Sequence, residues 1–332
     1  MFKAALFGLS LLLPATAIAA PCAGTNLIAA MDADTRAVLE ARVDATPYAA
    51  GNFWRASRGG SIVHLVGTYH FDDPRHDAIV TRLAPVIGNA TAVLVEAGPD
   101  EQEKLNAEMV SRPDRIFIAD GPTLPDRLEE ADWQALLKAM TARGIPGFMA
   151  AKMQPWYVSM MLGIPPCAME AMSAGTRGLD ARIMERAEAE QIPIVALEPY
   201  DTVFALFDAM PEDVQLEMIR SALAVGDQAE DYSATLTDAY FAENVRLTWE
   251  LGRHVSYELP GKTHDEVDAE LAVMEEALMN RRNRAWISVI ETAAANGPIF
   301  VAFGALHMSG EQGVLSLLEQ EGFTIERLTF SE

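Results

Sequence analysis

Four short apolar runs constrain this chain more than any other feature. They are "IVHLV" at 62–66, "AVLV" at 92–95, "IPIVAL" at 192–197 and "IFVAF" at 299–303. Each is rich in β-branched or aromatic residues, short, and bounded by glycine, proline or polar residues, the pattern of a buried strand. Each also ends on a polar group: His70 after "GTY", Glu96, Glu198, and His307 after "GAL". Between the runs lie long stretches with helical spacing. Strands alternating with helices predict an α/β fold, a central mixed sheet flanked by helices. Ligands of such open sheets bind outside the strand ends, so the four polar groups mark a candidate site.

The rest of the chain fits around that sheet. "NFWRAS", "RGGS" and "IVHLV" predict a β-hairpin with a Gly-Gly turn. "NLIAAMDADTRAVLEARVDA" has helical spacing, as do residues 101–163, where prolines punctuate the pattern. Further helices are predicted over 179–191, 203–253 and 266–296, the last stopped by Asn296-Gly297-Pro298. "GVLSLLEQEG" reads as a helix and "FTIERLTF" closes the chain. The helical stretches at roughly 101–175 and 203–280 read as an insertion or cap over one domain spanning 21–332. No low-complexity segment or charge run interrupts it.

Composition excludes several roles. Half of the 332 residues are hydrophobic, so the chain is not disordered at large. The formal charge of −23, from 48 acidic and 25 basic residues, argues against nucleic acid and anionic lipid as partners. Residues 1–20 read as a signal peptide: Lys3, an apolar stretch too short to span a bilayer, and "ATAIAA" with cleavage expected after Ala19. Pro21 before Cys22 does not fit a lipid anchor. No later segment is long and apolar enough to span a membrane. A periplasmic or secreted location follows, and with it a disulfide between the two cysteines, Cys22 and Cys167.

The chemistry rests on few residues. Gly67 and Gly304 let the chain leave each strand sharply before His70 and His307. Two imidazoles and a carboxylate, Glu96, are a common set for a catalytic divalent metal. Without metal, His70 could serve as general base with a carboxylate to orient it. Arg282 falls on the apolar stripe of Leu278, Ala285, Trp286, Val289 and Ala293. A buried arginine needs a carboxylate or anion; it could orient Glu96 or Glu198, hold an oxyanion, or form a structural ion pair. Asn283 could bond a strand end. His64 reads as a sheet residue, and His76, His254 and His264 as solvated. Asp72 and Asp73 could support the site or simply form a turn. Methionines between Met149 and Met184 read as core, or as lining of a pliable cleft. G-x-S-x-G, H-E-x-x-H and phosphate-loop motifs are missing.

Two G-x-x-H motifs, a strand-end glutamate and an Arg-Asn pair on the last long helix resemble the TraB/GumN family, which includes the TIKI proteins. "CAGTNL", "RGLDARIMERAEAEQIPIVALE" and "FGALHMSGEQGVLSLLEQEGFTI" extend the resemblance over most of the mature chain, in the manner of GumN-like bacterial members. It implies a fold similar to the erythromycin esterase and ChaN-like group. It also implies a metal-dependent peptidase using manganese or cobalt rather than zinc. His70, Glu96 and His307 would then be the metal or catalytic groups and Arg282 their support. Asp180 of "GLD" and Glu198 match family positions without a stated role. The expected function is an extracytoplasmic metal-dependent hydrolase acting on a peptide or small molecule. The alternatives are a metal-independent esterase with His70 as base, or a binding or accessory protein for polysaccharide or haem.

Overall fold

The computed structural model describes residues 22–173, 175–259 and 261–330. The signal peptide expected at residues 1–20 lies outside them. Six strands form one mixed sheet. β1 (Phe53–Arg58) and β2 (Ser61–Thr68) make the expected hairpin. Its turn residues Gly59 and Gly60 have φ of 56° and 97°, which only glycine adopts freely. β3 (Ala92–Val95), β4 (Ile194–Ala196), β5 (Ile299–Gly304) and β6 (Thr324–Arg327) complete the order β4-β3-β5-β2-β1-β6. β4, β3, β5 and β2 run parallel, so their C-terminal ends share one edge. The register sets Thr68 beside Gly304 and Val95 beside Ala302 and Ala196. The residues that follow are therefore brought together.

Both sheet faces are covered. Helix Arg281–Ala294 lays Trp286 and Ile290 against Leu65 and Val301. Helices His76–Gly88 and Leu179–Ala189 lay Leu83, Ile87 and Ile183 against Val66, Val93 and Phe300 on the other face. Each such buried side chain contributes roughly 1.5–3 kcal/mol. A further cluster, with Leu136, Met140, Val158 and Ile219, sits among the helices of the two long connections. The methionines divide: Met153 is buried there, whereas Met149, Met160 and Met172 are exposed. Cys22 and Cys167 form a disulfide, with Cα atoms 5.5 Å apart. Closing so long a loop is worth about 2–4 kcal/mol. No helix of the described residues is long and apolar enough to cross a membrane.

Several expected helices are subdivided. The first breaks at Asp32, whose side chain accepts from the Thr35 amide and caps helix Ala33–Asp44. Residues 202–257 form four α-helices rather than one, with Pro211 and Gly226 at two of the joints. The last long helix carries a π-helical turn, Glu276–Asn280, directly before Arg281. Such turns re-aim the residues around them, and here the next turn holds Arg282 and Asn283.

Candidate active site

Arg282 stands at the centre of the strand-end edge. Its five N–H groups are all engaged. Nε donates to Glu198 Oε2 (2.8 Å); Nη1 to the Leu278 carbonyl (3.1 Å) and His307 Nε2 (3.2 Å); Nη2 to Glu96 Oε2 (2.6 Å) and Glu198 Oε1 (2.7 Å). A guanidinium has only five donors, so none is left for a bound anion. Of the roles open from sequence, orienting carboxylates is the one this geometry supports. Burial alone would lower the guanidinium; Glu198 and Glu96 raise it and keep it charged. Trp286 Nε1 also donates to Glu198 Oε2 (3.1 Å). Both oxygens of Glu198 are thus engaged within the protein.

Glu96 has a second partner on the open side, the Gly304 amide, at 2.6 Å from Oε1. Burial pushes this carboxyl upward, but His307, Arg282, His70 and the Gly304 amide outweigh it and hold it at about 2. The missing side chain of Gly304 makes room here. A Cβ would lie 3.2 Å from His70 Nε2 and 3.4 Å from Glu96 Oε1, so both atoms face one space. Gly67 plays another part: its Cβ would stand 2.9 Å from the Ala305 backbone, so it permits the close passage of two chain segments.

His70 Nδ1 lies 2.9 Å from Asp180 Oδ2, and Asp180 Oδ1 accepts from Thr68 Oγ1. Asp180 raises the imidazole to about 9, against the effect of burial and with help from Glu96. The side chain is 62% exposed, so solvent screens part of that attraction. Asp180 reaches His70 because helix Leu179–Ala189 docks its first turn on the strand-end loop. The Leu179 amide donates to the Tyr69 carbonyl at 2.9 Å. A Cβ on Gly178 would collide with the His70 carbonyl and lie 2.7 Å from that of Tyr69. Gly178→Ala is therefore expected to push the helix away and drop the His70 midpoint toward 6.5. Histidine NMR titration measures that midpoint; an unchanged value would dissociate Gly178 from the pair.

His307 is buried and held in one tautomer. Asn283 Nδ2 donates to the Gln312 carbonyl (2.9 Å), which turns its Oδ1 toward His307 Nδ1 (2.6 Å). Nδ1 must then carry the proton, leaving Nε2 to accept from Arg282. Trp286 packs on the ring at 4.6 Å between centroids. Burial lowers this imidazole to about 4, so it is neutral at pH 7. The two G-x-x-H histidines have opposite protonation states.

The sequence pattern of the TraB/PrgY/gumN family matches residues 52–327. The chain belongs to the TraB/PrgY/gumN family. Among its relatives is the uncharacterized protein YbaP of Escherichia coli (strain K12), 27% identical over 269 residues, covering 78% of this chain and 89% of YbaP. YbaP of Shigella flexneri is also 27% identical, over 264 residues, covering 77% of this chain and 87% of that protein.

Within this family member, the structure brings together two hydrogen-bonded sets, Arg282 with Glu96, Glu198, His307 and Asn283, and Asp180 with His70, and they meet where His70 Nε2 and Glu96 Oε1 face the space at Gly304. Thr68 and Gly178 carry no signal in the sequence reading and Trp286 enters it only as an apolar-stripe residue, yet all three hold these groups in place. His76 is not the solvated residue its polar neighbours predict. That ring is fully buried, bonds the Phe71 carbonyl through Nε2 (3.0 Å) and packs 5.4 Å from Phe241. Its spacing to Ile79, Leu83 and Ile87 places it on the buried stripe of helix His76–Gly88. Asp73 and Asp72 serve the same region, pairing with Arg75 (2.8 Å) and Arg182 (2.6 Å) rather than with the site.

Proposed function

We propose that this strand-end site hydrolyses an amide or ester bond in a peptide or small molecule outside the cytoplasm. The observation that carries the reading is the shared space at Gly304, faced by His70 Nε2 and by the Glu96 carboxylate. Environments that push neighbouring titratable groups apart mark acid and base roles. His70, held protonated by Asp180, is the acid, and Glu96 is the proton acceptor. A water oxygen attacks the carbonyl carbon and its proton passes to Glu96. The His70 Nε2 proton moves to the leaving nitrogen or oxygen as that bond breaks. Glu96 then returns its proton to His70. Arg282 and His307 position Glu96 and touch no reacting atom. The extracytoplasmic location is supported by the Cys22–Cys167 disulfide.

The manganese or cobalt ion implied by resemblance would need His70, Glu96 and His307 as ligands. As the side chains stand they do not fit one. The Arg282 guanidinium already holds Glu96 Oε2 and His307 Nε2, and His70 Nδ1 is turned to Asp180. Among the described residues no group of three or more such side chains is arranged around a cation position. No step is therefore routed through a metal. Elemental analysis of the mature protein addresses this directly. Near-stoichiometric metal, absent from a folded His70→Ala/His307→Ala protein, would replace the proton-transfer reading with a metal-assisted one.

The pH profile of a hydrolysed ester or peptide tests the acid role. Activity is expected to fall as pH rises through about 9, where His70 loses its proton. His70→Asn and Glu96→Gln should each lose at least about a hundredfold. An activity that climbs to a plateau above pH 9 would make His70 the base instead. A wide screen without turnover would favour a binding role.

A further inference from the structure

The two histidine loops also wall a cavity that the chemistry above does not use. It measures about 330 Å³, at the lower end of the range for small-molecule sites. Phe71, which follows His70, and Leu306, which precedes His307, line it together with Leu162, Leu236 and Leu251. Its wall is mainly apolar; Ser233, Thr235 and Thr248 also line it, and two further polar residues stand out, a cation without a carboxylate and a hydroxyl without a hydrogen-bond partner.

The first is Arg143. Its guanidinium bonds only backbone carbonyls: Nε those of Met161 (2.9 Å) and Ile164 (2.8 Å), Nη1 that of Ala139 (2.9 Å), Nη2 that of Leu162 (2.8 Å). No carboxylate pairs with it among the described residues, and burial is what lowers its affinity for its proton. One N–H on each Nη remains for a ligand. The second is Tyr232. Its hydroxyl is buried and has no hydrogen-bond partner, and burial pushes it up to about 12. An apolar chamber holding an unpaired cation and an unpaired hydroxyl lacks an anion on an apolar body.

We infer that this cavity is the substrate subsite for an apolar chain bearing a carboxylate, held by Arg143 and Tyr232, while the scissile bond lies at His70 and Glu96. This deepens the hydrolytic reading and rests on it for the word substrate, though not for binding. Two sources share the chemistry: a fatty acyl chain, and the apolar C-terminal residue of a peptide.

Calorimetric titration of the mature protein tests it with three probes: decanoate, 1-decanol, and N-acetyl-Ala-Ala-Leu with a free carboxylate. Decanoate or the peptide is expected to bind saturably, and decanoate at least about tenfold tighter than decanol. The tighter of the two carboxylates names the source. Ala139→Trp, which fills the cavity, should abolish binding, and Arg143→Gln should erase the preference over decanol. Arg143 also anchors helix ends, so Tyr232→Phe serves as a second probe. It removes a hydroxyl with no partner, which should leave thermal stability unharmed while binding weakens severalfold. Saturable carboxylate binding in a protein that turns over no ester or peptide in a wide substrate screen would sink the hydrolytic reading and leave the subsite standing. No saturable carboxylate binding, or binding indifferent to Ala139→Trp, would overturn the subsite even in an active hydrolase.

Discussion

Replacing Arg282 by methionine is expected to cost about 3–5 kcal/mol of folding stability, among the largest losses any single substitution in this chain can cause. The side chain is 19% exposed, and its carboxylate partners Glu96 and Glu198 are 21% and 15% exposed. Without the guanidinium, two largely buried carboxylates face each other with no cation between them. His307 Nε2 and the Leu278 carbonyl lose a donor as well. The loss should therefore depend on pH: it shrinks in acid, where one of the two carboxyls can take up a proton. Arg282→Lys should recover only part of it, because an ammonium cannot match the fork that spans both glutamates. Glu198→Gln in the methionine background should recover more by removing one of the opposed charges. Urea denaturation of the four proteins at pH 5 and 7 measures these differences. A methionine variant as stable as the parent at pH 7 would show that the network does not hold this edge together.

That expectation depends on a network only partly legible in the sequence. The strand ends were readable because buried strands betray themselves by composition, and a polar residue following one has a fixed place in the sheet. His70, Glu96, Glu198 and His307 emerged in this way. Arg282 emerged because it interrupts a helical apolar pattern, although the buried face runs through Met279, Asn283, Trp286, Ile287, Ile290 and Ala294 and leaves Ala285 of the expected stripe exposed. The pairing of that arginine with both glutamates at once was not readable. Arg282 follows the π-helical turn at Glu276–Asn280, which no local pattern announces, and its two partners come from the ends of separate strands. The Asp180–His70 pair depends on the bare backbone of Gly178 against residues 69 and 70, a contact between segments more than a hundred residues apart. Asn283 looked like a strand-end cap. Its real work is to fix the His307 tautomer, and that follows only from the Gln312 carbonyl on its other side. His76 was readable and was misjudged: polar neighbours drew attention away from its place on the Ile79–Leu83–Ile87 stripe.

The paired histidines predict a stability profile that peaks near pH 6.5 within the range they govern. His307 is depressed to about 4 in the folded chain by burial, against about 6.5 unfolded. Between those values the unfolded chain binds a proton the folded one refuses, so stability is lost as pH falls from 6.5 to 4. A separation of that size corresponds to about 3 kcal/mol. His70 is raised to about 9 by Asp180, so its contribution runs in the opposite sense. It is fully present below pH 6.5 and is lost as pH rises through 9. Because this ring is largely open to solvent, the alkaline limb should be the shallower. Glu96, depressed to about 2, is lost only below pH 4.5, outside both limbs until strong acid. Each limb has its own eraser. Asp180→Asn should flatten the alkaline side and leave the acid side intact. His307→Leu removes the acid-titrating group and should flatten the acid side, although the variant is less stable at every pH because Asn283 and Arg282 lose their shared partner. Denaturation midpoints from pH 4 to 9.5 give the profiles, and proton NMR of the imidazoles assigns them. A His307 resonance that titrates near 6.5 in the folded protein would remove the physical basis of the acid limb. It would also mean that the ring is not sealed between Trp286 and Asn283.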